Sequence, residues 1–131
     1  MNFDYVLDTY AWVEYFRGSP AGKRVKSLLE SHALATPFLV IAELADFYER
    51  EKVTGFEKDL QFIEAKTTLL TFGKEVAIQA GKTKNEMRKK GRKQFGLADA
   101  LILEIARSLQ AKLVTGDTHF KGLEEIEFLN P

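Results

Sequence analysis

Short apolar runs alternate along the chain with longer segments in which apolar residues recur every three or four positions. The short runs predict buried strands, and the longer segments predict helices with one apolar face. The predicted strands cover residues 3–7, 33–35, 67–72, 112–115 and 125–129. The predicted helices cover residues 9–16, 38–51, 74–90 and 97–110, with two more beginning at Pro20 and near Phe56.

Capping residues indicate where several of these helices begin. Ser19 followed by Pro20 is typical of an N-cap and a first helical position. Thr54 with Glu57 three residues later fits a capping box. A Thr-Pro pair at residues 36–37 marks the start of the helix at 38–51. A short strand at 33–35 would then stand between two helices, as the alternation of strands and helices requires.

Strands that alternate with helices predict a mainly parallel sheet covered by helices on both faces, which is a three-layer α/β/α fold. The hydrophobic fraction of 45% and the charged fraction of 29% are those of a globular protein and exclude a disordered or fibrous chain. The sequence contains no linker or repeat, so we expect residues 1–131 to form a single domain.

The composition excludes several kinds of chemistry. Cysteine is absent, which excludes thiolate nucleophiles, cysteine-ligated zinc, iron–sulfur clusters and disulfides. The N-terminus lacks the pattern of a signal peptide, and no window approaches the roughly 20 apolar residues of a membrane span, so we expect a cytoplasmic protein. Oxygen and histidine side chains remain as candidate functional groups.

The formal net charge is +0, so the chain as a whole makes no electrostatic argument for a nucleic-acid ligand. Positive charge is nevertheless concentrated between residues 82 and 93, where seven basic residues accompany one acid. Such a cluster attracts polyanions, although a solvated helix end and loop would show the same composition. The seven are Lys82, Lys84, Arg88, Lys89, Lys90, Arg92 and Lys93.

Two acids follow predicted strands. Asp8 comes directly after residues 5–7, and Asp117 comes shortly after residues 113–114, with Gly116 between them to permit a tight turn. The carboxyl ends of parallel strands open onto one edge of the molecule, where ligands bind in such folds. Either acid alone would be explained by a turn or a helix cap.

Two further acids lie on apolar faces of predicted helices. Glu43 shares its face with Leu39, Val40 and Phe47, and Asp99 shares its face with residues 102, 103 and 106, which are also apolar. Burying a lone ionised carboxylate costs several kcal/mol, so each group must be partnered, protonated or bound to metal. A rim position for Glu43, or the favourable helix dipole for Asp99, would be the simpler explanation of each residue alone.

Four such carboxylates would repel one another unless a cation were present. Hard oxygen ligands select Mg²⁺ or Mn²⁺, ions that assist phosphodiester cleavage by activating water and stabilising charge. Thr115 could orient a carboxylate or contact phosphate. These residues predict a hydrolase that acts on phosphodiesters.

Four short motifs carry a family resemblance: Val6-Leu7-Asp8-Thr9, Ile41-Ala42-Glu43-Leu44, Leu97-Ala98-Asp99-Ala100 and Thr115-Gly116-Asp117-Thr118-His119-Phe120. Their order and spacing resemble those of a PIN-domain protein of the VapC toxin type, over essentially the whole chain.

The resemblance implies a Mg²⁺- or Mn²⁺-dependent endoribonuclease, a frequent homodimer, and inhibition by a small antitoxin protein. It implies that Asp8, Glu43, Asp99 and Asp117 form the catalytic and metal-binding quartet, with Thr9 and Thr115 as the accompanying hydroxyl residues. Tyr10 departs from the small polar residue of many relatives, and His119 resembles part of the motif without being expected to act as a base. Arg88, Lys89, Lys90, Arg92 and Lys93 are the candidates for contacts with RNA phosphates.

Other readings of the acids fit less well. Haloacid-dehalogenase-like phosphatases require a second acid two residues after the first, where this chain has Tyr10. Receiver domains use paired early acids, whereas Asp8 is single. A serine or histidine mechanism lacks support, because His32 and His119 are the only histidines. A PIN-domain nuclease of RNA processing and an inactive RNA- or protein-binding module stay open, and an adjacent antitoxin gene would favour the toxin.

Overall fold

The computed structural model describes residues 2–131 and contains one five-stranded sheet in which every neighbouring pair is parallel. The strand order is β3-β2-β1-β4-β5. The strands are β1 (Tyr5–Leu7), β2 (Leu34–Pro37), β3 (Thr68–Leu70), β4 (Lys112–Thr115) and β5 (Ile126–Phe128). All five predicted strands are therefore present, most of them shorter than their apolar runs.

Six helices connect the strands. They are α1 (Thr9–Arg17), α2 (Pro20–Ser31), α3 (Phe38–Arg50), α4 (Phe56–Lys66), α5 (Lys74–Lys89) and α6 (Leu97–Ser108), and a short 3₁₀ turn (Thr118–Phe120) follows β4. Right-handed crossovers place α1 to α4 on one face of the sheet and α5 and α6 on the other, because the chain reverses its direction across the sheet after β3. The predicted three-layer α/β/α fold is confirmed.

The core is built around β1, the central strand. Val6 and Leu7 are fully buried, since strands and helices surround them on every side. A polar network also crosses this region, in which the Trp12 Nε1 donates to the Thr36 hydroxyl at 3.2 Å and Thr36 pairs with the Thr67 hydroxyl at 2.8 Å. Thr36 thus lies inside β2 and bonds across the core rather than capping α3.

The starts of two helices test the predicted caps. Ser19 caps α2 as expected, with its hydroxyl accepting from the Gly22 amide at 3.1 Å. The capping box predicted from Thr54 and Glu57 is wrong. The helix begins after Gly55, whose left-handed φ of 86° turns the chain into α4 without any side-chain cap.

The strand order creates a switch point between β1 and β4. From β1 the chain proceeds to β2 on one side, and β4 lies on the other side of β1, with the helices of the two halves on opposite faces. A crevice opens at the carboxyl ends of neighbouring strands at such a point. Among residues 2–131, none of the helices combines the length and apolar character needed to cross a bilayer.

Candidate active site

A cleft at this switch point gathers the four acids that the sequence singled out. Asp8 follows β1, Asp117 follows β4, Glu43 lies on α3 and Asp99 lies in the first turn of α6. The cleft has a volume of about 290 Å³, roughly ten times the ~30 Å³ that one water occupies in the liquid. It can therefore hold a hydrated cation together with a phosphate group. Its remaining lining residues are Thr9, Tyr10, Asp46, Phe47, Arg50, Ile102 and Phe120.

Asp8 is the deepest of the four acids, with 4% of its surface exposed. It is the N-cap of α1, and its Oδ1 accepts a hydrogen bond from the Ala11 amide at 2.9 Å. Burial raises the pKa of Asp8 to about 7, against the opposing effect of hydrogen bonds from Thr115 and Ala11. The charges of Asp117 and Glu43 raise this pKa further. The carboxyl is thus costly to ionise in the metal-free protein.

Glu43 is half-buried and is held by one hydroxyl. The Thr9 Oγ1 donates to the Glu43 Oε1 at 2.6 Å, which links the start of α1 to α3. Burial raises the pKa of Glu43, the Thr9 hydrogen bond lowers it, and the charges of Asp99, Asp117 and Asp46 raise it. The sequence placed Glu43 on an apolar face, and the structure places it where that face meets the cleft.

Asp99 and Asp117 are each oriented by a nearby backbone amide. The Asp99 Oδ2 accepts from the Gly96 amide at 2.8 Å, and the Asp117 Oδ1 accepts from the His119 amide at 2.9 Å. The Asp117 amide in turn donates to the Thr115 hydroxyl at 3.0 Å, which fixes the turn after β4. Local hydrogen bonds therefore hold both carboxylates in defined orientations at the edge of the cleft.

The four cleft acids lack an arginine partner of the kind that Glu104, another buried acid of this protein, has. Glu104, 7% exposed on α6, accepts a hydrogen bond from the Thr83 hydroxyl at 2.8 Å and pairs with the Arg107 guanidinium at 2.7 Å. Within residues 2–131, no lysine or arginine forms an ion pair with any of the four cleft carboxylates. Four hard oxygen donors that have no lysine or arginine partner fit Mg²⁺ or Mn²⁺.

A family model for the PIN domain matches residues 5–126, which include all four acids. The chain belongs to the PIN-domain family.

Several solved structures have the same fold as this PIN domain. It is similar to a toxin–antitoxin complex from Klebsiella pneumoniae, at 17% identity over 97% of this chain and 98% of that chain, with a TM-score of 0.75. It is similar to VapBC-1 from nontypeable Haemophilus influenzae, at 26% identity over 95% of each chain and a TM-score of 0.68. It is also similar to Mycobacterium tuberculosis VapC20, described as a sarcin–ricin loop cleaving toxin, at 15% identity over 94% of this chain and 98% of that chain, with a TM-score of 0.71. A comparison with curated protein sequences gave no match.

The structure of this PIN domain brings both predicted hydroxyl residues to the acids but keeps the predicted basic residues outside the cleft. Arg88 and Arg92 contact backbone oxygens: the Arg88 Nε donates to the Phe95 carbonyl at 2.8 Å, and Arg92 donates to the carbonyls of His119 and Lys121 at 3.0 and 2.8 Å. The other three, Lys89, Lys90 and Lys93, are exposed. Their contact with RNA phosphates stays a prediction.

Two residues of the site were not predicted as functional. Arg50 lines the cleft from α3 and pairs with Asp46 at 2.5 Å. Its spacing of seven residues from Glu43 puts both on one helix face, a signal that the sequence contained. His119 stands with its Nδ1 3.0 Å from the Asp99 Oδ2. No signal in the sequence indicates this contact between His119 and Asp99, because it depends on the shape of the turn after β4.

Tyr10 fills space in this PIN domain. A Cβ placed on Gly116 would lie 2.2 Å from the Tyr10 Cε1, so the tyrosine ring packs directly on the glycine. Gly116 was expected to supply a tight turn, but its φ is outside the left-handed region that requires glycine. The need for glycine at this position is therefore one of space.

Proposed function

We propose that this PIN domain is a divalent-metal-dependent endoribonuclease that hydrolyses RNA phosphodiester bonds. The observation that carries the proposal is the convergence of Asp8, Glu43, Asp99 and Asp117 from four separate elements into one cleft, where no lysine or arginine of the described residues pairs with them. Structural elements so far apart in sequence have no packing reason to bring four carboxylates together, and their mutual repulsion opposes folding.

The four carboxylates are the residues that would hold the cation, Mg²⁺ or Mn²⁺. Such a cation, when bound, acts as a Lewis acid on the phosphate and lowers the pKa of water. The protein groups around it have separate tasks. Thr9 holds the Glu43 carboxylate through its 2.6 Å hydrogen bond, and Thr115 fixes the amide of Asp117.

Binding of the RNA backbone requires positive charge near an acidic cleft. Arg50 is the cationic residue that lines the cleft, and its guanidinium can contact a phosphate next to the scissile one. The exposed Lys89, Lys90 and Lys93 lie outside the lining of the cleft and are suited to contacts with more distant phosphates. RNA as substrate is supported by the similarity to a toxin that cleaves the sarcin–ricin loop.

The test is cleavage of labelled structured and single-stranded RNAs by the purified protein with Mn²⁺, with Mg²⁺ and with chelator. Asp8→Asn and Asp99→Asn should each lower metal-dependent cleavage by at least about 100-fold, because each removes a charge from the donor set. Asp4→Asn is the matched control. Asp4 is exposed at the other end of β1, where it pairs with His32, so this variant should cleave as wild type does.

Failure of this test would favour the binding-module alternative. If the wild-type protein and both cleft variants were equally inert on every RNA, and metal titration showed no binding, the acids would have a structural role. Retained RNA affinity in that case would define the protein as an RNA-binding module. Cleavage that persists in chelator would instead contradict metal dependence.

We further propose that the chain acts as the toxin of a toxin–antitoxin pair, as a homodimer bound by a small antitoxin. Several structurally similar proteins are parts of toxin–antitoxin complexes. Induced expression should arrest growth, Asp99→Asn should abolish the arrest, and co-expression of the product of an adjacent small gene should relieve it. Arrest that no neighbouring gene relieves would favour the RNA-processing alternative. Light scattering of the purified protein measures its oligomeric state.

A further inference from the structure

The imidazole of His119 lies beside the cleft rather than in its lining, within reach of two of the cleft carboxylates. Its Nδ1 lies 3.0 Å from the Asp99 Oδ2 and 3.6 Å from the Asp117 Oδ1. One donor atom from each of the three side chains lies within 4.8 Å of the other two. The ring nitrogen is thus close enough to both acids to bind the same metal ion.

These separations are close to those between ligands of a single ion. Ligands about 2.1 Å from an octahedral cation lie about 3.0 Å apart in adjacent positions and about 4.2 Å apart in opposite ones. The Nδ1 distance of 3.0 Å to Asp99 equals the adjacent value, and the distance of 3.6 Å to Asp117 lies between the two. The Nδ1 is therefore close enough to both carboxylates for the three groups to bind one cation once their side chains adjust.

The backbone holds His119 in this place from both sides. Its amide donates to the Asp117 Oδ1 at 2.9 Å, inside the 3₁₀ turn. Its carbonyl accepts from the Arg92 Nη1 at 3.0 Å, and the same guanidinium bonds the Lys121 carbonyl at 2.8 Å. Arg92 therefore anchors the turn from a separate loop. The backbone thus holds the ring where its Nδ1 reaches both acids.

We propose that His119 is a ligand of the cation through its Nδ1, and that the site consequently binds Mn²⁺ in preference to Mg²⁺. This inference rests on the proposed function, in which the carboxylates hold a divalent cation. Mg²⁺ takes oxygen ligands almost exclusively, whereas imidazole is a good ligand for transition metals, and affinity for nitrogen donors rises from Mn²⁺ onward in the series. A donor set of nitrogen and oxygen atoms thus discriminates between Mn²⁺ and Mg²⁺ more strongly than four carboxylates alone would.

The direct test is pulsed electron paramagnetic resonance of Mn²⁺ added to the tag-free, full-length protein in a nitrogen-free buffer. Mn²⁺ bound to the wild type should show ¹⁴N coupling from a coordinated imidazole, and His119→Ala should remove it. His32→Ala is the matched control, because His32 is the one other histidine of the chain and pairs with Asp4 at the amino end of β1, opposite the cleft. That variant should keep the coupling.

Calorimetric titration gives a second measure. His119→Ala should weaken Mn²⁺ binding by at least about 10-fold and Mg²⁺ binding by less than about threefold, since the lost ligand serves Mn²⁺ better. His119→Gln can still donate a hydrogen bond to Asp99 but offers an oxygen donor. It should therefore lower the preference for Mn²⁺ as the alanine variant does.

Three results would overturn the inference, and they differ in what they say of the nuclease. Bound Mn²⁺ without ¹⁴N coupling, in a protein that cleaves RNA, would leave the proposed function in place and make His119 only a positioning residue for Asp99. Equal losses of Mn²⁺ and Mg²⁺ affinity in His119→Ala, restored by His119→Gln, would have the same meaning. Absence of any Mn²⁺ binding by the wild type would reject both proposals together.

Discussion

Replacing Asp8 by asparagine should stabilise the metal-free protein at pH 8. Burial raises the pKa of Asp8 from 3.8 to about 7, so the folded protein holds the charged carboxylate at a cost that the unfolded chain does not have. Asparagine has the same shape, and its carbonyl can still accept the hydrogen bond from the Ala11 amide. The substitution therefore removes the charge and keeps the cap of α1.

The size of the effect follows from the pKa. Because the folded state binds this proton more tightly than the unfolded state, the stability of the wild type falls as the pH rises from about 4 to about 7 and changes little above that. At pH 8 the whole shift of about 3 pKa units applies, which corresponds to about 4 kcal/mol. At pH 5 the cost is about 2 kcal/mol. The advantage of Asp8→Asn should thus roughly double between these two values.

Urea unfolding followed by circular dichroism, in EDTA at pH 5 and pH 8, measures this difference. The control is Asp4→Asn, at the exposed end of the same strand, which should leave the free energy of unfolding unchanged within about 0.5 kcal/mol. A variant Asp8→Asn that is no more stable than wild type at pH 8 would refute the reasoning. Saturating Mn²⁺ should reverse the order, since the cation stabilises only the protein that binds it.

The remaining predictions concern the surroundings of the acids. Gly116→Ala should cost about 1–3 kcal/mol in thermal unfolding, because its Cβ would lie 2.2 Å from the Tyr10 ring, and adding Tyr10→Ala should recover part of the loss. Arg50→Ala should raise KM for RNA several-fold with little change in kcat or Tm; a fall in kcat at constant KM would contradict a role in phosphate binding. Arg92→Ala should lower stability by about 1–3 kcal/mol and weaken Mn²⁺ binding in calorimetry, because the His119 turn loses its anchor. If it altered only the salt dependence of RNA binding, the phosphate contact predicted from the sequence would be its role.

Much of the fold could be predicted because each element carries its own periodic signal. The parallel sheet followed from strands alternating with helices, and that topology alone required Asp8 and Asp117 to share an edge. The positions of Glu43 and Asp99 followed from their apolar neighbours. Each inference used residues within a few positions of one another, which is the range over which a sequence pattern reports structure.

The parts that could not be predicted depend on contacts between distant segments. The sequence indicates one patch of basic residues around position 90. The guanidinium of Arg92 instead bonds the carbonyls of His119 and Lys121, which are 27 and 29 residues away along the chain. The Thr54 capping box failed because Gly55 offered a backbone route into α4 that needs no side chain. The approach of His119 to Asp99 likewise depends on where the turn after β4 meets the first turn of α6.

Three of the four acids combine two roles that the sequence suggested as alternatives. Asp8 caps α1, Asp99 accepts from the amide that precedes α6, and Asp117 accepts within the 3₁₀ turn, while all three carboxylates face the cleft. A local cap and a site in the cleft are therefore compatible, because a carboxylate has two oxygens. Alanine at these positions would remove a cap that contributes about 0.5–2 kcal/mol and the unfavourable charge together, so the two effects would cancel in part. Asparagine keeps the acceptor oxygen and removes the charge alone, which makes it the substitution that separates the electrostatic cost of the site from the stability of the helices beneath it.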